Sequence, residues 1–403
     1  MKKDSMFFSS RLLIRIKHLD IMAFCFALLA LLKCWLYARQ SGSETTVFVC
    51  DIIIYMCSIV TFVYVFAKYR FEMQNIKFAV FPVVYILANI LYRYDGGINV
   101  NDAGITVVSI AILYLLLPQY CQMYIYKMFR YILVFCSILG IVFYMVYMIQ
   151  LPIPYNSVPY YAQITQPDAL YADYFNIVLY ISAGGMVRLC GPFNEPGLMG
   201  TFLGLVLIAE DMNLRKKGNL ILFIAGAITY SMAYVVIILL YFLYTYGKDW
   251  RLFILVILGL MLVIILPNIQ FENATLQDLI NRLFRGDDNR TTRKFDIMFE
   301  EFIKTSRLWF GNGSGIQTVG VSSIKLYIMQ YGIVGTVFYL LYILRMGLFF
   351  SNRNKKSIVF LTIFLLSMYQ RPDVISPGYF IILIGGIHAI NYGNNVKEYT
   401  SLV

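Results

Sequence analysis

Charge is scarce in this chain. Of its 403 residues only 14% are charged and 60% are apolar, whereas a soluble domain carries about 25% charged residues. Too few polar side chains are present to cover a water-facing surface, which excludes an ordinary soluble domain. Histidine is scarcer still, with only His18 and His388. The seven cysteines are Cys25, Cys34, Cys50, Cys57, Cys121, Cys136 and Cys190, with no C-x-x-C pair and no neighbouring His. A zinc site or a disulfide framework is therefore not expected.

Present instead are long apolar runs. A membrane span needs about 20 apolar residues, somewhat fewer if its ends snorkel. Segments of this kind lie near 20–37, 47–67, 78–92, 103–117, 131–149, 196–210, 219–232, 233–246, 252–267, 326–350, 357–369 and 377–391. The stretch 219–246 is too long for one span, and Ser231-Met232-Ala233-Tyr234 is the expected tight turn within it. The sequence thus predicts an all-α integral membrane protein of about twelve spans, a single polytopic unit over 1–403. No cleavable signal peptide is expected, because no small-residue cleavage site follows the basic stretch Lys2 to Lys17.

The net charge of +11 does not point to nucleic acid, since the cations are dispersed over short loops. They report topology instead. With the N-terminus inside, most of the Lys and Arg fall in inner segments, including Lys68, Arg70, Lys77, Lys127, Arg130, Arg215, Lys216, Lys217, Arg345, Arg353, Lys355 and Lys356. The three short outer loops hold Arg39, Arg93 and Arg371, one each. Both termini are then cytoplasmic.

Two outer loops are long, 150–195 and 268–325. The first is rich in Pro and Tyr. It contains Cys190, expected as a free thiol. The second breaks the charge rule with Arg282, Arg285, Arg290, Arg293, Lys294, Lys304, Arg307 and Lys325. Long loops translocate regardless of charge, so the excess calls for another reason. Leu276, Leu279, Ile280, Leu283 and Phe284 recur at helical spacing behind a Thr275-x-x-Asp278 capping signal. Phe295, Met298, Phe299 and Phe302 form a second stripe. Both segments read as amphipathic helices lying apolar face down on the outer leaflet.

Two groups of residues suit chemistry. In Arg188-Leu-Cys-Gly-Pro-Phe-Asn-Glu195-Pro196-Gly197, Pro196 suits the first turn of a helix. Arg188 and Glu195 read either as a surface ion pair or as an anion-binding Arg beside a general base. In the second, Arg290 and Arg293, with Arg282 and Arg285 nearby, precede Gly311-x-Gly313-x-Gly315. Guanidinium forks match phosphate oxygens and stay charged, so the cluster suits either a diphosphate or an anionic lipid surface. The glycines lack the G-x-x-x-x-G-K phosphate-loop pattern and read as a turn back into the membrane. Asp287-Asp288 is a weak metal candidate because Arg285 and Arg290 compete for it. Lys33 and Asp51, inside apolar runs near span ends, are candidates for snorkelling or function.

These segments resemble the Wzy polysaccharide polymerases and the related O-antigen ligases. The likeness rests on Arg188-x-x-Gly191-x-Phe193-x-Glu195-Pro196, on Arg293 eighteen residues before Gly311-x-Gly313, and on Gly332-Ile-Val-Gly335 early in the next span. The resemblance implies a GT-C-type glycosyltransferase fold with two long periplasmic loops in a bacterial inner membrane. It implies transfer of a growing glycan from undecaprenyl diphosphate onto a lipid-linked repeat unit at the periplasmic face. It further implies no metal or other cofactor, membrane lipid and a lipid-linked oligosaccharide as partners, and a chain-length regulator beside it. Arg188, Glu195 and Arg293 would be catalytic, and Arg282, Arg285, Arg290 and Arg293 would hold the diphosphate. Ligases carry a functional His shortly before the Gly-Ile-x-Gly span; Val319–Lys325 has none, which favours polymerase. Ligase and flippase remain the alternatives.

Overall fold

A computed structural model describes residues 21–31, 72–94, 96–97, 105–159, 169–182, 185–247, 293–314, 324–369 and 376–392, with isolated positions between 52 and 67. Among these residues the helices are α1 (Ile21–Leu31), α2 (Ile76–Leu91), α3 (Ile105–Leu116), α4 (Gln119–Met148), α5 (Pro196–Ala209), α6 (Lys217–Ile228), α7 (Met232–Tyr246), α8 (Arg293–Phe302), α9 (Ile324–Ser351), α10 (Lys355–Ser367), α11 (Pro377–Phe380) and α12 (Gly386–Tyr392). A π-helical stretch, Ile381–Gly385, joins the last two. Three segments are long and apolar enough to cross a membrane: Met73–Leu91, Gln119–Met148 and Ile324–Ser351. The expected count of about twelve is thus not reached among the described residues, because most remaining apolar segments form shorter helices. The segment 252–267 and most of 47–67 lie outside the described residues.

The chain is not all-α. Strands β1 (Asn156–Pro159), β2 (Leu170–Tyr174), β3 (Ile177–Ile181) and β4 (Val187–Gly191) form an antiparallel meander inside the first long loop. Both faces are covered. Ala172, Tyr174, Leu179, Val187 and Leu189 join the main core, while Tyr171, Val178, Tyr180 and Cys190 form a second small core. An irregularity between Val178 and Leu179 puts Leu179 opposite Leu189 and Val178 opposite Gly191. The extra residue is Cys190, as in a β-bulge. A sheet buried on both sides shows little polar alternation in its sequence. Its hairpin also lacks an Asn-Gly signal. Phe175 and Asn176 make the turn with φ of 52° and 68°, supported by a hydrogen bond from the Asn176 N–H to Asp173 Oδ1.

Helix α4 is a single 30-residue element. Lys127 and Arg130, read from the sequence as an inner loop, lie on its first half. Beside them is a buried polar knot: Arg130 Nη2 donates to Asn219 Oδ1 at 2.7 Å, and Lys216 Nζ meets Glu210 Oε2 at 3.0 Å. Arg130 Nε also lies 3.7 Å from Glu210 Oε1, so the cation carried by α4 is compensated where a lone buried charge would be costly. Deeper in, His388 lies between Gln119 and Gln122 of α4.

Every residue of α5 is buried. Gly200 and Gly204 present no side chain to the Thr229–Ser231 turn and α7. A Cβ on Gly200 would come 2.5 Å from Ser231 Cβ. Small residues four apart are a recurrent way for membrane helices to pack closely. The expected break in 219–246 is real. It falls at Thr229–Ser231, where the Ser231 side chain accepts the Tyr234 N–H and caps α7.

Helix α9 contains the sharpest departure from regular geometry. Gly332, with φ 69° and ψ −178°, splits it into two helical pieces. In a continuous helix the Met329 and Gln330 carbonyls would accept N–H groups four residues on. Here they accept the N–H groups of Asn312 and Gly313 at 2.7 and 2.9 Å. The Val334 N–H, released by the break, donates to the Trp309 carbonyl at 3.1 Å. The loop 309–314 is clasped into the kink by these exchanged hydrogen bonds. A Cβ on Gly311 would stand 2.3 Å from the Gln330 carbonyl oxygen, at a φ of 84°. Gly311→Ala is expected to destabilise the detergent-solubilised protein by about 3 kcal/mol, from left-handed strain plus the backbone clash. Gly96→Ala, also left-handed but facing open space, should cost about 1 kcal/mol. Thermal unfolding of the two variants side by side checks the difference; equal losses would refute the clasp.

Candidate functional site

The segment from Arg188 to Pro196 is a strand, a tight turn and a helix start. Gly191, at φ 61°, turns the chain out of β4, and a Cβ there would meet Met199 Sδ at 2.8 Å. Phe193 is fully buried and packs edge-on to Phe202, with ring centroids 5.4 Å apart. Tyr171 Oη donates to the Asn194 carbonyl at 2.6 Å. Glu195 is the N-cap of α5 and Pro196 opens the helix, as the sequence anticipates. Its carbonyl receives the Leu198 and Met199 N–H groups, and its side chain does not cap the helix.

Arg188 has a structural role that the sequence did not reveal. Its Nε donates to the Thr229 carbonyl and its Nη2 to the Tyr230 carbonyl, both at 3.0 Å. Thr229 is the C-cap of α6 and Tyr230 follows it, at the helix end where the dipole favours a cation. The guanidinium also lies over the Tyr180 ring at 5.8 Å. Arg188 thus ties the sheet to the α6–α7 turn. Arg188 and Glu195 also converge electrostatically on Cys190. Burial, the largest effect, raises the Cys190 thiol pKa; the Arg188 charge lowers it and the Glu195 charge raises it. Cys190 is a buried free thiol, as expected for its oxidation state.

Of the second group, Arg293 is the first residue of α8, while Arg282, Arg285 and Arg290 lie outside the described residues, as do Asp287, Asp288, Lys33, Asp51 and the 276–284 stripe. The stripe of α8 is confirmed, but its apolar face lies on protein rather than on lipid. Phe295 and Phe302 form a buried cluster with Met329 of α9, flanked by Met298 and Phe299. Two of the anomalous cations have local partners. Lys325 Nζ meets Asp296 Oδ1 at 3.0 Å, and Arg307 Nη1 donates to Asn312 Oδ1 at 3.4 Å. The clasp also reaches α2, since the Ser314 N–H donates to the Tyr92 carbonyl at 2.9 Å and Tyr92 Oη to the Gly311 carbonyl at 2.7 Å. Asn89 belongs to the same knot: its carbonyl accepts Ser314 Oγ, and its side chain accepts Tyr331 Oη. A lone Asn inside the apolar run 78–92 was the sequence signal for this knot.

At the opposite end of α5, a cavity of about 1130 Å³ is lined by Asp211, Asn213, Lys216, Tyr241 and Lys356. Several of its polar groups engage one another. Lys356 Nζ meets Asp211 Oδ2 at 2.7 Å, and Tyr241 Oη donates to Asp211 Oδ1 at the same distance. Among the described residues no cluster of three His, Cys, Asp or Glu suits a metal ion.

No family model, curated protein or solved structure matches this chain. The functional reading therefore stands on the residues themselves.

Burial and a raised pKa leave Cys190 with little thiolate at neutral or mildly alkaline pH. In a variant retaining Cys190 as its sole cysteine, a maleimide at pH 8 should label the folded protein negligibly and label it fully after denaturation. Rapid labelling of the folded protein would contradict the packing around β4.

Proposed function

We propose that this chain is an inner-membrane glycan polymerase, with about twelve spans and a GT-C-type fold. It would transfer a growing glycan from undecaprenyl diphosphate onto a lipid-linked repeat unit at the periplasmic face. The observation that carries the reading is the Arg188–Glu195 segment. Both charged residues are held within one strand–turn–helix unit around Cys190, the segment on which the resemblance to Wzy polymerases rests. The clasped Gly311–Gly313 loop and Gly332 kink give a physical reason for the other glycines of that resemblance. These supports concern the framework; the arginine cluster is assigned by resemblance and charge.

In the proposed reaction an acceptor sugar hydroxyl attacks the anomeric carbon of the donor glycan. The new glycosidic C–O bond forms as the bond to the diphosphate oxygen breaks. Glu195 takes the hydroxyl proton. The leaving diphosphate is neutralised by Arg290 and Arg293, with Arg282 and Arg285 adding to the field. Fixed cations serve this purpose where charge develops. Arg188 reaches in from the first loop to add its charge, anchored by its hydrogen bonds to the Thr229 and Tyr230 carbonyls. Lipid-linked oligosaccharide and membrane lipid are the partners of this reading, with a chain-length regulator beside it.

The test is the lipopolysaccharide ladder in a strain lacking its own copy. Arg293→Ala should reduce transfer about 100-fold or more, leaving core capped by one repeat. Arg293→Lys should not restore the ladder, because an ammonium does not reproduce a bidentate fork. A full ladder from Arg293→Ala would remove that residue from the reaction. Loss of the single-repeat band on deletion of the gene would favour a ligase, and trapping of lipid-linked repeats at the cytoplasmic face would favour a flippase.

A further inference from the structure

Helices α2 and α9 run antiparallel and touch through aromatic pairs. Phe81 lies 4.5 Å from Tyr342 between ring centroids, and Tyr85 lies 5.6 Å from Tyr331. Along one side of this seam runs an open groove of about 870 Å³. Its walls are almost wholly apolar, with Val84, Phe338 and Leu341 among them. Phe338 is 62% exposed. Both helices belong to segments long and apolar enough to span a membrane, so an exposed apolar channel here faces lipid.

One end of the groove is different. Lys77 and Arg345 both line it there. Both are exposed, and no described carboxylate pairs with either. Lys77 Nζ is held 4.2 Å from the Phe349 ring centroid and 5.2 Å from that of Phe78, which fixes the ammonium at the groove mouth. From Lys77 to Ala88 on α2 the groove runs roughly 16 Å at ~1.5 Å per residue. That is about half of a ~30 Å hydrocarbon core, the depth of one leaflet.

We propose that this groove is a binding site for an anionic phospholipid, its phosphate between Lys77 and Arg345 and one acyl chain along α2 and α9. The two cations supply charge complementarity, and the length admits a single leaflet's chain. The charged mouth lies at the opposite end of α2 from the clasp around Ser314 and Gly311, and no residue of the proposed reaction lines the groove. The site therefore stands independently of the polymerase reading.

Native mass spectrometry of the full chain, released from detergent with phosphatidylglycerol or with phosphatidylcholine of the same acyl chains, tests the site. Phosphatidylglycerol should bind roughly thirtyfold more tightly, as expected for two basic residues at a lipid surface. Lys77→Gln with Arg345→Gln, both exposed and safe for folding, should abolish that preference while leaving phosphatidylcholine binding intact. Val84→Trp should fill the groove and weaken both lipids. Equal affinity for the two lipids in the unmodified protein, or a preference that survives the double substitution, would overturn the proposal. So would an unmodified dimer that Val84→Trp dissociates, which would assign the groove to a second copy of the chain.

Discussion

The architecture depends on the need to pair every backbone N–H and C=O group held away from water. In hydrocarbon an unpaired amide costs several kcal/mol, so a helix cannot simply break. At Gly332 it breaks, and the 309–314 loop takes up the Met329 and Gln330 carbonyls and the Val334 N–H. That loop in turn supplies Ser314 to the end of α2. Three segments distant in sequence are joined by main-chain bonds that require glycine at the crossing points, because side chains would collide with backbone.

The same constraint acts at the other long loop. The Thr229 and Tyr230 carbonyls, just past the end of α6, accept hydrogen bonds from the Arg188 guanidinium, and the strand bearing Arg188 is packed between α4 and a small aromatic core. Each long loop is thus fastened to a helix end by polar groups that the helix itself leaves unsatisfied. This links fold to proposed function. Residues that would act on a diphosphate need fixed positions near the membrane surface. Fastening loops to helix ends provides such positions without burying charge.

What was legible in the sequence divides along physical lines. Signals that depend on local chemistry were readable. The Phe295–Phe302 stripe, the Pro196 helix start and the break near Ser231 each follow from residues within one or two turns. The partner of the stripe was not, because an apolar face fits lipid or protein equally well. The sheet escaped because burial on both faces erases alternation and because a Phe-Asn turn is an uncommon hairpin signal. The continuous α4 escaped because Lys127 and Arg130 look like loop residues until Glu210 and Asn219 are folded beside them. At the candidate site, Glu195 fell where the sequence put it. The part played by Arg188 depends on carbonyls some forty residues away, which spacing alone could not disclose.

The proposed reaction requires Arg293 and Glu195 to meet at one site, with the clasp fixing the second loop that carries Arg293. The most direct measurement is cross-linking in native membranes. The chain would carry Glu195→Cys and Arg293→Cys, with every other cysteine removed, and be treated with a short bifunctional maleimide. An intramolecular cross-link should form readily and should be lost when Gly311→Ala is added. Absence of the cross-link in the parent, or its persistence after the clasp is disrupted, would contradict the claim.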